Sequence, residues 1–245
     1  MTLPAKAFQR WLQGVAPEAS TADVCRISGI KRTTLAQQLV RGKVSVSTVV
    51  SISRAYGINP VAALADFDAY RELADPQPGP TRCELVSQIS TADLLHTMLA
   101  RPGMDPGRKA GPEPPALSPA PHPTSVKNWV DAIDDGEVRH RVSAATGIAP
   151  QNYSAQLTAN RLTAELAVAT ARAAGVGLAN GLVATGLVTE EEAGWTPGAR
   201  RAALDSLSDG DLAVLAGDRL QALGKVLRRQ EQDQAQTEKI WENLG

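Results

Sequence analysis

Residues 28–42 read SGIKRTTLAQQLVRG, and they concentrate side chains that recognise rather than react. Lys31, Arg32, Thr33, Thr34, Gln37, Gln38 and Arg41 surround the apolar anchors Ile30 and Leu35. A guanidinium forks onto paired acceptors or a phosphate, an ammonium acts as a point charge, and an amide offers a donor beside an acceptor; threonine adds a hydroxyl and a methyl. The set lacks the nucleophile and adjacent base that covalent chemistry needs. Between residues 20 and 60 the basic residues Arg26, Lys31, Arg32, Arg41, Lys43 and Arg54 stand against one acid, Asp23, a local charge of +5 in a chain of formal net charge −1. That is the charge footprint of a face for a polyanion. The plain alternative is the solvated side of an amphipathic helix.

The elements that must position these residues are helices. Phe8, Trp11, Leu12 and Val15 recur at helical spacing in a first helix. A second helix is expected over residues 21–28, with Val24, Cys25 and Ile27 inward and Gly29 as its stop. The third covers residues 31–40 and ends at Gly42. The fourth, over residues 47–56, buries Val49, Val50 and Ile52 and stops at Gly57, after which Pro60 opens a fifth. Ser90-x-x-Asp93 and Ser208-x-x-Asp211 each place a capping serine ahead of an apolar run. A helix, a tight glycine corner and a polar third helix are the parts of a helix-turn-helix.

The same plan occurs twice. Set 118 residues apart, Trp11 falls on Trp129, Gly29 on Gly147, Ile30 on Ile148, Leu39 on Leu157, Arg54 on Arg172, Gly57 on Gly175 and Leu64 on Leu182. Downstream the offset still brings Ser90 to Ser208, Asp93 to Asp211 and Leu94 to Leu212. One gap-free offset over that length argues for a duplicated domain. Between the copies, residues 102–125 hold eight of the sixteen prolines and read as an extended spacer. The expected organisation is therefore all-α, with two tandem domains at residues 1–101 and 126–229, a Pro-rich linker at 102–125 and a polar tail at 230–245. A 24-residue linker spans roughly 27 Å as a coil and about 70 Å extended, against about 34 Å for one turn of duplex. One chain could then grip a bipartite, asymmetric site.

Composition excludes several classes. Cys25 and Cys83 form no paired motif, His96, His122 and His140 are scattered, and no cluster has metal-ligand spacing. No phosphate loop or catalytic triad pattern occurs, so neither catalytic residues, a metal nor a cofactor is expected. No window is apolar enough to span a membrane, and no signal peptide is evident. A cytoplasmic, nucleoid-associated protein is expected. Cys25, Trp11 and Trp129 read as core.

The segment VCRISGIKRTTLAQQLVRGKVSVSTVVSISRAYGINPVAAL, residues 24–64, resembles the helix-turn-helix domain of lambda-repressor-like (Xre, Cro/CI type) regulators. The shared features are the Gly29–Ile30 corner, the Thr-rich helix, the Arg41-Gly42-Lys43 stop and the apolar helix closing on Gly57. ARAAGVGLANGLVATGLVTEEEAGW and LDSLSDGDLAVL resemble the stretches that follow that motif in actinobacterial temperate-phage immunity repressors. The chain departs from the pattern in two ways: residues 29–42 run one residue longer, and Leu39-Val40 stand where an acid precedes Arg-Gly. The resemblance implies double-stranded operator DNA as partner, transcriptional repression by occlusion, and no enzymatic activity. The implied DNA-contacting residues of the first copy are Arg26, Lys31, Arg32, Thr33, Thr34, Gln37, Gln38, Arg41 and Lys43.

In the second copy the corresponding candidates are Arg139, Arg141, Gln151, Asn152, Tyr153, Gln156, Asn160 and Arg161. Asp131, Asp134, Asp135 and Glu137 precede them and oppose their charge. Two readings stay open there: a second DNA reader relying on amides, or a copy given over to dimerisation or a protein partner. An antitoxin or adaptor is the rival function for the whole chain, and an enzyme carrying a DNA-binding domain is a remoter one. The tail offers Arg228, Arg229, Ile240, Trp241 and Leu244 as a docking segment or a solvated end.

Overall fold

In the computed structural model of the chain, which describes residues 2–104 and 115–242 and the last helix's side chains as far as Thr237, the architecture is helical apart from one short ribbon. α1 (Ala5–Val15) buries Phe8 and Trp11, three residues apart. α2 (Thr21–Ser28) begins where the Ser20 hydroxyl accepts the amide of Asp23 and ends at Gly29, whose φ of 71° is open to glycine and strained for other residues. α3 (Arg32–Val40) buries Leu35. α4 (Val46–Ala55) is capped by Ser45 and buries Val49, Val50 and Ile52, and α5 (Pro60–Ala65) starts under an Asn59 cap. Two expectations need correction. Ile27 is 45% exposed, because Cys25 defines the inward side of α2 and Ile27 sits about 200° round from it. The expectation of helices only missed an antiparallel pair, β1 (Thr2–Pro4) on β2 (Lys43–Ser45), with buried Leu3 opposite buried Val44. Three residues are too few for strand alternation to show in sequence.

The chain continues through α6 (Arg82–Ser87), α7 (Thr91–Ala100), α8 (Ser125–Ile133), α9 (Val138–Thr146), α10 (Pro150–Thr158), α11 (Ala164–Ala174), α12 (Leu178–Ala184), α13 (Ala199–Asp205) and α14 (Asp209–Glu242). The 118-residue offset carries through the backbone. Residues 32–40 of α3 fall on 150–158, the bounds of α10, and residues 60–65 of α5 fall inside α12. Gly29 and Gly147 share φ values of 71° and 72°, and Gly42, at 69°, has its counterpart in Asn160 at 50°. Buried Val24, Leu35 and Leu64 correspond to buried Val142, Tyr153 and Leu182.

Two compact units result, and they cut across the expected segments 1–101 and 126–229. The first unites Met1–Gln88 with Pro119–Arg200, so it holds both copies of the five-helix plan; the second unites Ile89–Ser118 with Arg201–Gly245. Of the expected linker, residues 105–114 lie outside the described residues, and the part that follows is built into tertiary structure. Ser118 donates its amide and hydroxyl to Asp93 at 3.0 and 3.2 Å. His122, 8% exposed, has its Nε2 2.9 Å from the carbonyl of Ser87, and Gln88 donates to the carbonyl of Ser125. Prolines keep this stretch extended, which leaves its polar groups to pair with neighbouring elements.

In the first unit the copies meet around Glu84, which is fully buried. Its Oε2 closes a capping box with Thr81, and its Oε1 accepts from Trp129 Nε1 at 3.0 Å and from Asn180 Nδ2 at 3.1 Å. Asn180 Oδ1 accepts in turn from Trp195 Nε1 at 2.8 Å. Two ion pairs cross between the copies nearer the surface: Arg54 with Glu192 at 2.6 Å and Arg172 with Glu72 at 2.8 Å. In the second unit Ile89, Leu94, Leu204 and Leu212 form the core. Arg101 donates to the carbonyls of Leu204 and Leu207 and pairs with Asp209. The polar tail expected from residue 230 continues α14 as far as Glu242.

Close packing around Trp129 makes α12 intolerant of added volume. A Cβ on Gly181 would lie 2.6 Å from the carbonyl oxygen of Ala167 and 2.9 Å from the Trp129 ring. Gly181→Ala is expected to lower stability by about 1–3 kcal/mol, read as a lower urea midpoint at unchanged m-value. A second expectation concerns acid. The hydrogen bond from Arg54 holds the Glu192 carboxyl below its ordinary range, so this pair contributes stability above the unfolded carboxylate pKa of about 4.3 and loses it as pH falls through the lower folded value. Glu192→Gln should flatten the acid limb of a stability–pH curve by about 1 kcal/mol or less, the pair being partly exposed.

Candidate functional site

α3 is pinned by buried Leu35, and the helical repeat of about 100° per residue turns Thr33, Gln37 and Val40 to the opposite side. Lys31 stands at the N-cap of α3 and Arg32 at its first turn; Arg41 is its C-cap and Lys43 opens β2. Lys31, Arg32, Thr33, Thr34, Gln37, Arg41 and Lys43 are all exposed. Among the described residues, Lys31, Arg32, Arg41 and Lys43 make no ion pair. Four unpaired cations therefore flank an exposed row of hydroxyl and amide side chains. Arg26 is also on the surface, 3.3 Å from Asp23.

Two expected members of this face are placed elsewhere. Gln38 is half-buried, and its Oε1 accepts from the Ser45 amide at 2.9 Å and the Thr48 hydroxyl at 3.1 Å. It fastens α3 to the start of α4, so its acceptor is spent on structure. Arg54, counted in the local charge, is neutralised by Glu192 from the other copy. Sequence reasoning also passed over Val40, 89% exposed on the outward side, and Lys6 and Arg10 on α1, which are exposed and, among the described residues, make no ion pair. Their four-residue spacing on one helix was the available signal.

The second copy differs in its electrostatics. Arg139 donates to Asp134 at 2.9 Å and Asp131 at 2.8 Å, and Arg141 donates to Asp135 at 2.9 Å and to the carbonyl of Ala173. Arg141 holds the Asp135 carboxyl below the usual range. Lys127 also pairs with Asp131. The acids of residues 131–135 thus engage the cations expected to meet phosphate. Tyr153 is a correction: it is 1% exposed, its hydroxyl 2.8 Å from Thr170 Oγ1, in the core position that Leu35 fills in the first copy. Asn160 is another. Its Oδ1 accepts from the amides of Val126 and Lys127, closing the N-terminus of α8. The 118-residue offset itself held both answers, aligning Tyr153 with Leu35 and Asn160 with the turn residue Gly42. Gln151, Asn152 and Arg161 remain exposed, and Gln156 is half-buried.

Among the described residues no group of three or more His, Cys, Asp or Glu is gathered for a metal, and no helix is long and apolar enough to cross a membrane.

The neighbours Gln37 and Gln38 differ in structural weight: Gln37 is exposed, while Gln38 accepts two hydrogen bonds. Gln38→Ala leaves the Ser45 amide and Thr48 hydroxyl without that acceptor and is expected to cost about 1–2 kcal/mol of stability. Gln37→Ala should leave stability within about 0.5 kcal/mol. Paired urea titrations of the two variants measure the difference.

Compared with known proteins, the chain matches no protein family, no curated protein and no solved structure.

Proposed function

We propose that the protein is a sequence-specific double-stranded DNA-binding regulator, with α2–Gly29–α3 as a helix-turn-helix and α3 as the helix that enters the major groove. The observation that supports this reading is the set of unpaired cations at both ends of α3, Lys31, Arg32, Arg41 and Lys43, framing exposed Thr33, Thr34 and Gln37. Lysine and arginine neutralise phosphates. Arginine also forks onto guanine, glutamine onto adenine, and an apolar side chain such as Val40 fits the thymine methyl. Regulation would act by occupying an operator and excluding polymerase, with no reaction catalysed and no cofactor used. The resemblance of residues 24–64 to lambda-repressor-like regulators, and of the later stretches to phage immunity repressors, makes a prophage repressor in the host cytoplasm the specific form of the proposal.

For the second copy, the bipartite reading rests on Gln151, Asn152 and Arg161, an amide face with one unpaired cation. Both copies belong to one compact unit, so the packing of the copies, rather than the reach of a linker, would set the spacing of the two parts of the operator. One observation favours the rival reading, in which the second copy holds a protein as in an antitoxin or adaptor: Arg139 and Arg141 are already engaged by Asp131, Asp134 and Asp135.

The test is binding to a genomically selected duplex. Log K should fall with log salt at about −0.9 per phosphate neutralised, and four contacts give a slope of about −3.6. Arg32→Ala should cost about 1–3 kcal/mol and relax preference at particular base pairs, while Lys43→Ala should weaken all sequences alike. Loss of sequence preference on Gln151→Ala would assign DNA reading to the second copy; unchanged binding by that variant and by Arg161→Ala would favour the protein-holding reading. A flat salt titration, or the absence of any selected duplex, would overturn the proposal.

A further inference from the structure

Within the first unit, contacts between the two copies come in reciprocal pairs. Arg54 of the first copy meets Glu192 of the second, while Arg172, the counterpart of Arg54, meets Glu72 of the first. By the 118-residue offset Glu192 corresponds to Ala74, next but one to Glu72. The exchange recurs at the start of α5 and α12. Asn59 Nδ2 donates to the carbonyl of Glu192 at 2.9 Å, and the amide of Leu178, equivalent to Pro60, donates to Gln77 Oε1 at 3.1 Å. A surface that meets its own equivalent in this way, i on j and j on i, is the mark of a two-fold axis; copies stacked head to tail present two different surfaces. Residues close to such an axis face their own counterparts. One groove of about 370 Å³ does this: Ser45, Val46 and Ser47 line it from the first copy, and Leu162 and Ala164, equivalent to Val44 and Val46, from the second. Buried Glu84 departs from the pattern, because Ala202 stands at the equivalent position.

The segments lining this groove are those that leave α3 and α10, so the two candidate reading helices sit on either side of the pseudo-two-fold axis. A two-fold rotation preserves direction along its axis and reverses direction across it. When the outward row of α3 faces a duplex lying across the axis, that of α10 faces it too, with the helix running in the opposite sense. The geometry points to an operator whose two parts are inverted relative to each other, unequal in sequence but opposite in polarity. This orientation rests on the DNA-binding reading of both copies and adds to it how the second part must run. Operator palindromy mirrors the two-fold symmetry of paired helix-turn-helix units. Here the pairing lies within one chain, and Thr33, Thr34 and Gln37 against Gln151, Asn152 and Ala155 make the arms unlike. A flexible tether would permit either order, so the orientation is a property of the packing. Ile240, Trp241 and Leu244, named above as tail residues, have side chains outside the described residues and play no part in it.

The test uses the full chain and the duplexes it selects from random sequence. Pro150→Arg, Gln151→Thr, Asn152→Thr, Ala155→Gln and Thr158→Val, all at exposed positions, give α10 the outward row of α3. The grafted chain should select an inverted repeat of the first arm and bind it about tenfold or more tightly than the direct repeat, since each mismatched base pair costs affinity. A second measurement does not depend on the graft. In a Cys83→Ser background, an iron chelate is attached to a cysteine at either end of α3, Lys31→Cys or Val40→Cys, or at the equivalent ends of α10, Ala149→Cys or Thr158→Cys. Strand cleavage of the wild-type site should be nested, with the cuts from 40 and 158 both inside or both outside those from 31 and 149. A direct repeat selected by the graft, or cuts that alternate along the duplex, would overturn the inverted arrangement and leave DNA reading standing. Cleavage from α3 alone would overturn it by removing the second arm. A chain that selects no duplex fails at the proposed function, and the inverted operator falls with it.

Discussion

A carboxyl group with no solvent exposure must be given donors, and Glu84 receives them from three separate segments of the chain. Thr81 supplies an amide and a hydroxyl from the turn before α6, while Trp129 and Asn180 reach it from α8 and α12, about fifty and a hundred residues later. A buried polar group is costly unless it is hydrogen-bonded. Here both oxygens accept, and an interface that would otherwise be apolar gains a fixed register. Removal of any one donor or acceptor would strand the others at about 1–3 kcal/mol each. The close approach of Gly181 to the Trp129 ring, the Trp195 bond to Asn180 and the surface pairs Arg54–Glu192 and Arg172–Glu72 are all arranged around that seam.

The seam also decides which cations are paired and which are left unpaired. Arg54 and Arg172 occupy equivalent places in the repeat, and each crosses to an acid of the other copy. α3 contributes nothing to those pairs and keeps its cations unengaged. The second copy takes the opposite course, spending Arg139 and Arg141 on its own acids. The two copies thus differ in electrostatics on a matching backbone, and the difference comes from the acids at 131–135.

Much of this was legible in sequence. Helix periodicity and stops gave the bounds of α2 and α3 almost to the residue, because Gly29 and Gly42 are conformational necessities that composition exposes. The serine caps at Ser90 and Ser208 were equally plain, each accepting the amide three residues on. The core tryptophans followed from spacing. What stayed hidden was tertiary. Gln38 and Gln37 are chemically identical, and only the position of Ser45 tells which one is structural. Tyr153, grouped in sequence with the DNA-facing candidates, lies in the core, where its hydroxyl pairs with Thr170. The prolines of residues 102–125 suggested a spacer, yet His122 and Ser125 sit in the first unit, since proline content limits conformation without determining what the extended chain then touches.

The shared core has a genetic consequence. In proteins assembled from separable modules, recombination in the connecting segment exchanges one intact reader for another and changes specificity in a single step. Here a crossover between residues 89 and 118 would bring a foreign Trp129 and Asn180 to a resident Glu84, and the hybrid would fold only where both parents kept the same triad. Exchange of whole segments is thus constrained by that triad, whereas the outward row of α3, at Thr33, Gln37 and Val40, is open to point substitution because these side chains are exposed.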